Sequence, residues 1–194
     1  MSHRKYALRT PRFAAGIRLQ DRGRVFNRSW WAKRWFEAIE MMNLRGRLAR
    51  GRAYALSGQV TQVKIAAKTV EMQVLGVRED PYRVKLQFRA PTGEAREKIV
   101  AALKGNPMNV ERLSVNDLPL EVEEIFRRHG YTLFPGGKLG EREYDVTTSC
   151  TCPDYANPCK HSIAALLILG DEVARCPARL LEFRGIRLEE LYEN

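Results

Sequence analysis

Three of the four cysteines and one of the three histidines fall in a single stretch, CTCPDYANPCKH, from Cys150 to His161. Any fold available to the chain must accommodate what these side chains do together. Their spacing is C-x-C-x6-C-x-H, and three thiolates with one imidazole complete a tetrahedral set for Zn2+ with no position left for water or substrate. On an extended backbone residues i and i+2 share a face, so Cys150 and Cys152 can reach one cation while Thr151 points away. Pro153 and Asp154 then turn the chain and Pro158 stiffens the return. Cys159 and His161 open a helix expected over Ser162–Val173, apolar on nearly every side and therefore buried. The reading is one structural zinc ion held by Cys150, Cys152, Cys159 and His161. Asp154 is either a turn residue or an acceptor that orients His161. Lys160 either faces solvent or shields the net negative charge of a zinc tris-thiolate. Cys176, just before Pro177, reads as a small core residue.

Several classes are excluded by what the chain lacks. Its longest apolar run, Ile163–Leu169, is seven residues, against the roughly 20 that cross a bilayer. The start, MSHRK, has no secretory apolar stretch, and clustered cysteines at metal spacing do not form a disulfide framework. A cytoplasmic location is expected, with nucleoid association open. Zinc deaminases use P-C-x-x-C with H-x-E, whereas Pro158-Cys159 is followed by Lys160-His161 and no H-x-E occurs. H-E-x-x-H, G-x-x-x-x-G-K-[ST] and G-x-S-x-G are absent as well. The chain is expected not to be an enzyme.

The net charge is +10, and its placement is uneven. Residues 1–60 hold 14 Lys/Arg against Asp21, Glu37 and Glu40, a balance of +11, while residues 61–194 hold 19 against 20. Most of the excess is arginine, whose planar fork matches phosphate and stacks on bases. Arg24, Arg28, Lys33, Arg34, Arg45, Arg47, Arg50, Arg52 and Lys160 are the candidate nucleic-acid contacts. A solubilising basic tail is the alternative.

Periodicity divides the chain into a basic arm at 1–28, an α+β domain at 29–135 and a zinc-binding domain at 136–194. The arm has Tyr6, Phe13, Ile17 and Val25 as possible docking residues. Ser29 can cap a helix to about Met42, with Trp31, Trp35, Ile39 and Met42 on one face; Trp30 and Phe36 lie off that stripe, open to base stacking. A basic connection, 43–51, leads to segments that read as strands: Arg52–Leu56, Gln59–Ala66, Thr69–Val77 and Tyr82–Phe88. Their short links imply an antiparallel meander. Helices are expected from Pro91-Thr92 to Leu103, near Val110–Leu113, and between Pro119 and Gly130. Phe134-Pro-Gly-Gly-Lys138 marks the domain boundary, and Tyr144–Cys150 is a strand entering the metal site. A C-terminal lobe of about 55 residues would have little core of its own, so zinc would be its largest stabilising contribution.

The ligand spacing and the surrounding CPDYANPCKH resemble the SWIM zinc finger. Ser29-Trp-Trp-Ala-Lys-Arg-Trp35, Gly51–Val60, Pro81–Val84 and the helix after His161 are similar to the small bacterial SWIM zinc-finger proteins. That resemblance implies a ββα-type zinc fold in which a β-hairpin carries CxC and a helix start carries CxH. It also implies DNA-binding or protein-interaction roles and partnership with Snf2-type helicases; this chain has no helicase motifs of its own. The sequence thus points to an α+β protein with a small C-terminal zinc lobe. It would bind nucleic acid, DNA more than RNA, as an accessory factor without membrane contact. The alternative is an adaptor whose basic segments grip an acidic protein partner.

Overall fold

The computed structural model describes residues 14–20, 29–42, 44, 46–136 and 145–193. Four strands, β1 (Val60–Ala66), β2 (Thr69–Val74), β3 (Tyr82–Phe88) and β4 (Val146–Cys150), form one antiparallel sheet in the order β1-β2-β3-β4. Helix α1 (Trp30–Glu40) and α2 (Arg47–Leu56) precede the sheet. Then α3 (Gly93–Lys104), α4 (Pro107–Ser114) and α5 (Leu120–Arg128) connect β3 to β4. Helix α6 (Lys160–Arg175) follows β4, and α7 (Arg179–Phe183) with a 3-10 turn at Glu189–Leu191 ends the chain. The α+β reading with an antiparallel meander holds.

The strands alternate as a half-wet sheet should. In β3, Tyr82, Val84, Leu86 and Phe88 are buried while Arg83, Lys85 and Gln87 are exposed. The same inner face carries Val70, Met72 and Val74 of β2 and Val146 and Thr148 of β4. Helix α6 lies against this face and is covered on its other side by α1 and α2. Ile163, Leu166, Leu167, Leu169 and Val173 are all fully buried. Their burial contributes on the order of 10 kcal/mol gross, before the entropy of ordering the helix.

Helix α1 forms where expected, with Trp35, Ile39 and Met42 in the core. Ser29 occupies the N-cap with extended backbone, but its hydroxyl makes no capping bond. All three tryptophans are anchored through their indole N–H groups. Trp30 donates to Leu118 O (2.9 Å), Trp31 to Ala174 O (3.4 Å) and Trp35 to Leu166 O (3.0 Å). Trp30 also meets Phe134 edge-on, so it belongs to the packed interior edge and not to a stacking platform.

Four expectations need correction. Arg52–Leu56 is the second half of helix α2 and not a strand; Leu48, Gly51, Tyr54 and Ala55 form its inward side. Of the arm, residues 14–20 dock through Ala14 and Leu19, whereas Ile17 bridges Val60 by its backbone with its side chain exposed. Tyr6, Phe13 and Val25 lie outside the described residues, as does Tyr144. The expected boundary near residue 135 does not divide the interior: β4 and α6 share one hydrophobic core with the elements of 29–135. Cys176 is half-buried at the C-terminal end of α6, not a core residue. Among the described residues no helix is long and apolar enough to cross a membrane.

Candidate metal centre

Strand β4 delivers the first pair of ligands. Cys150 is its last residue and pairs with Val84 of β3. Pairing continues one residue further, where the Thr151 N–H donates to Arg83 O (3.1 Å) and the Thr151 hydroxyl accepts the Arg83 N–H (3.0 Å). Thr151 is thereby held on the outer side, which turns Cys150 and Cys152 toward the same interior point. The two strands that carry this geometry, β3 and β4, are joined through α3, α4 and α5. The implied hairpin is therefore a long-range pair, not a local one.

Helix α6 delivers the second pair. Cys159 is its N-cap and accepts the Ser162 N–H at 3.5 Å. His161 is one residue into the helix and 2% exposed. Its Nδ1 lies 3.8 Å from the sulfurs of both Cys150 and Cys159. The four donor atoms all lie within 4.8 Å of one another. Ligands at about 2.0–2.3 Å around a tetrahedral zinc ion sit roughly 3.5–3.8 Å apart, so the Nδ1–sulfur distances match such a site. The donor set fits zinc, and the four residues can hold one ion.

The electrostatics favour the same conclusion. Three thiolates this close cannot all ionise without a cation. Cys159 is held well below the usual thiol range by its hydrogen bond from Cys150, aided by His161 and the Ser162 N–H. Cys150 is pushed strongly up by sharing that bond with Cys159 and by burial. Cys152 is raised chiefly by burial. A divalent ion removes this conflict by favouring the thiolate at all three positions. The N-terminal end of α6 adds partial positive charge beside Cys159.

The surrounding side chains fix the imidazole. The His161 ring sits 4.5 Å from that of Tyr82 and 5.1 Å from that of Tyr54, centre to centre. Burial pushes the Tyr54 hydroxyl up, with Tyr82 and Cys152 adding to it. A Cβ at Gly76 would come within 2.4 Å of the Tyr82 ring and 3.5 Å of His161 Nε2, so only glycine leaves room for this stack. Nε2 is buried with no hydrogen-bond partner among the described residues. The ring is thus oriented by aromatic contact, with Nδ1 left to the sulfurs. Asp154 is the turn residue: its Oδ1 accepts the Ala156 N–H at 3.1 Å. The Lys160 ammonium lies over the Tyr54 ring, 5.8 Å from its centre, which places a cation one aromatic ring away from the site.

Asn157 is the part of the centre that spacing alone does not disclose. Its Nδ2 donates to Thr148 O at 2.9 Å and its Oδ1 accepts the Thr148 hydroxyl, tying the loop back to β4; the Asn157–Pro158 bond is cis. A polar residue ahead of proline inside a ligand loop was the available signal.

The basic candidates separate into distinct environments. Arg24, Arg28 and Arg45 lie outside the described residues. Lys33 pairs with Glu37 along α1 and Arg34 with Glu123 of α5. Arg47 donates to Leu44 O (3.1 Å) and to Pro158 O (2.9 Å), pinning α2 to the ligand loop. Arg50 is exposed, and among the described residues it has no ion-pair partner; Arg52 is half-buried on the same helix.

Residues 143–170 match the family model described as SWIM zinc finger. An uncharacterised protein of Mycobacterium tuberculosis, Rv2102, is 31% identical over 179 residues, covering 92% of this chain and 63% of the relative. The chain therefore spans less than two thirds of the length of that relative. No solved structure matches the chain.

Proposed function

We propose, taking the SWIM zinc finger at residues 143–170 as the starting point, that this chain is a zinc-stabilised, non-enzymatic binder of nucleic acid, DNA in preference to RNA. It serves as accessory to a larger machine such as a Snf2-type helicase. The observation that carries the structural half is the Cys150–Cys152–Cys159–His161 cluster, which fills every position of a tetrahedral ion. Such a site clamps β4 to α6 and has no vacancy for chemistry. The binding half is supported by the +11 balance of residues 1–60. Phosphate contacts by Arg and Lys release condensed counterions and supply most of the affinity in sequence-independent binding.

A salt titration of DNA binding by the full chain tests this reading. Log affinity should fall linearly with log salt, and Arg50→Ala should reduce the slope by about one ion with an unchanged melting temperature. Arg47→Ala is not a clean probe, because it also releases the ligand loop from α2. A chain that ignores DNA and RNA at moderate salt but retains one acidic protein partner would establish the adaptor role instead.

A further inference from the structure

Beside the metal centre lies an open cleft of about 580 Å³ between the start of α2 and the ligand loop. Arg47 and Arg50 line one side, and Asp154, Tyr155, Ala156 and Asn157 line the other. Most of these residues have an internal task. Arg47 holds Pro158 O, Asn157 holds Thr148 O, and Asp154 closes its own turn on the Ala156 N–H. The walls are thus fixed from within, and both ends of the loop are anchored at metal ligands.

Two side chains are left over. Tyr155 is 100% exposed, more than any other large hydrophobic residue described. Nothing in the turn calls for an aromatic ring, since Asp154 already supplies the turn chemistry. Arg50 is exposed, with no ion-pair partner among the described residues. Asp154 contributes one carboxylate to the lining, and two guanidiniums outweigh it. A rigid cleft that presents a solvated aromatic face beside an unpaired guanidinium matches a ligand with both a flat ring and a phosphate.

We propose that this cleft binds an unpaired nucleotide of a single-stranded nucleic acid, its base stacked on Tyr155 and its phosphate held by Arg50. The inference rests on the nucleic-acid reading above and narrows it. Within a duplex the bases stack on one another and hide their faces from Tyr155. Single strands expose every base, and stacking on an aromatic side chain is tolerant of sequence. The loop acts as a stacking finger whose shape the metal maintains.

The test uses the full zinc-loaded chain, a short fluorescent oligothymidine, and a duplex of equal length. Tyr155→Ala should weaken single-strand binding by about tenfold or more, and Tyr155→Phe should restore most of it. Duplex binding by both variants should stay within about twofold of the parent, since phosphate contacts dominate there. Zinc content and melting temperature should not change, because the ring is fully exposed among the described residues. Oligothymidine carrying 5-iododeoxyuridine should crosslink to Tyr155 on irradiation. If the parent binds single strands and Tyr155→Ala binds them equally well, the inference is overturned while the nucleic-acid reading stands. Should that same variant instead lose capture of a co-purifying protein, the cleft belongs to a protein partner and the inference is again overturned. If the parent binds neither single strand nor duplex, the broader reading fails and takes this one with it.

Discussion

Arg184 is 1% exposed, and among the described residues backbone carbonyls, not a carboxylate, receive its guanidinium. Its guanidinium donates to Arg89 O at 2.6 Å and Phe134 O at 2.9 Å, and it lies 6.0 Å from the centre of the Phe88 ring. It thereby ties the end of β3 to the segment that follows α5. Burial pushes its pKa down to about 10, against the attraction of Asp145 and with Arg89 adding to the fall. The folded value lies below the unfolded one, so the cost of burying the charge persists through the neutral range and is relieved only above about pH 10. Arg184→Met should nevertheless destabilise the protein by about 2–5 kcal/mol in a urea titration, because the Arg89 and Phe134 carbonyls lose their donor. Arg184→Lys should recover little, since an ammonium lacks the fork that spans both oxygens. Equal or greater stability of Arg184→Met would mean that apolar packing outweighs the hydrogen-bonded guanidinium here. The four metal ligands were legible from spacing because a cation imposes a local rule on them. Arg184 was not: its sequence surroundings resemble those of Arg187, which is exposed, and only the long-range fold distinguishes them.

Helix α2 shows where a local pattern misleads. Arg52-Ala-Tyr-Ala-Leu56 alternates like a strand, and Gly51 reads as a turn. The helical period emerges only with Leu48, Gly51, Tyr54 and Ala55 taken together, and Gly51 is there for closeness and not for bending. A Cβ at that position would fall 2.4 Å from Ile163 Cγ2 and 3.0 Å from Lys160 O. The glycine lets α2 press against the first turn of α6, the turn that carries His161. Gly51→Ala would gain intrinsic helix propensity of about 1 kcal/mol in an isolated helix. Here overpacking should reverse the sign and destabilise by about 1–3 kcal/mol. Its zinc affinity should fall as well, measured by competition with a chromogenic chelator, because the displaced backbone is that of the ligand turn. A stabilised variant with unchanged affinity would show that α6 can move away freely. The strands β1 to β3 were readable because each has one wet face and a short link. Helix α7 was not anticipated: Phe183 packs flat on Phe88 at 4.5 Å, a contact whose partner lies far away in sequence.

At the scale of the whole molecule, the metal centre belongs to the same interior as everything else. Residues 136–194 taken by themselves predict a small lobe with little core of its own. In the fold, β4 is an edge strand of the common sheet and α6 is its central helix, covered by α1 and α2. The ion then clamps two elements that the core also holds, so its removal should not melt a local appendage. Stripping the metal with a chelator should lower the midpoint of a single cooperative transition by more than about 10 °C, corresponding to a loss of several kcal/mol in a chain of this size. Trp35 reports on the centre of that core, since it is fully buried and its indole donates to α6 at Leu166 O. In a background carrying Trp30→Phe and Trp31→Phe, its fluorescence and the far-ultraviolet dichroism should therefore change together on heating the metal-free protein. Cys159→Ser should reproduce the metal-free curve whether or not zinc is supplied. Two separated transitions, with Trp35 following only the later one, would show that the metal-binding segment unfolds independently. In that case the shared core would contribute less to holding β4 and α6 than the ion does.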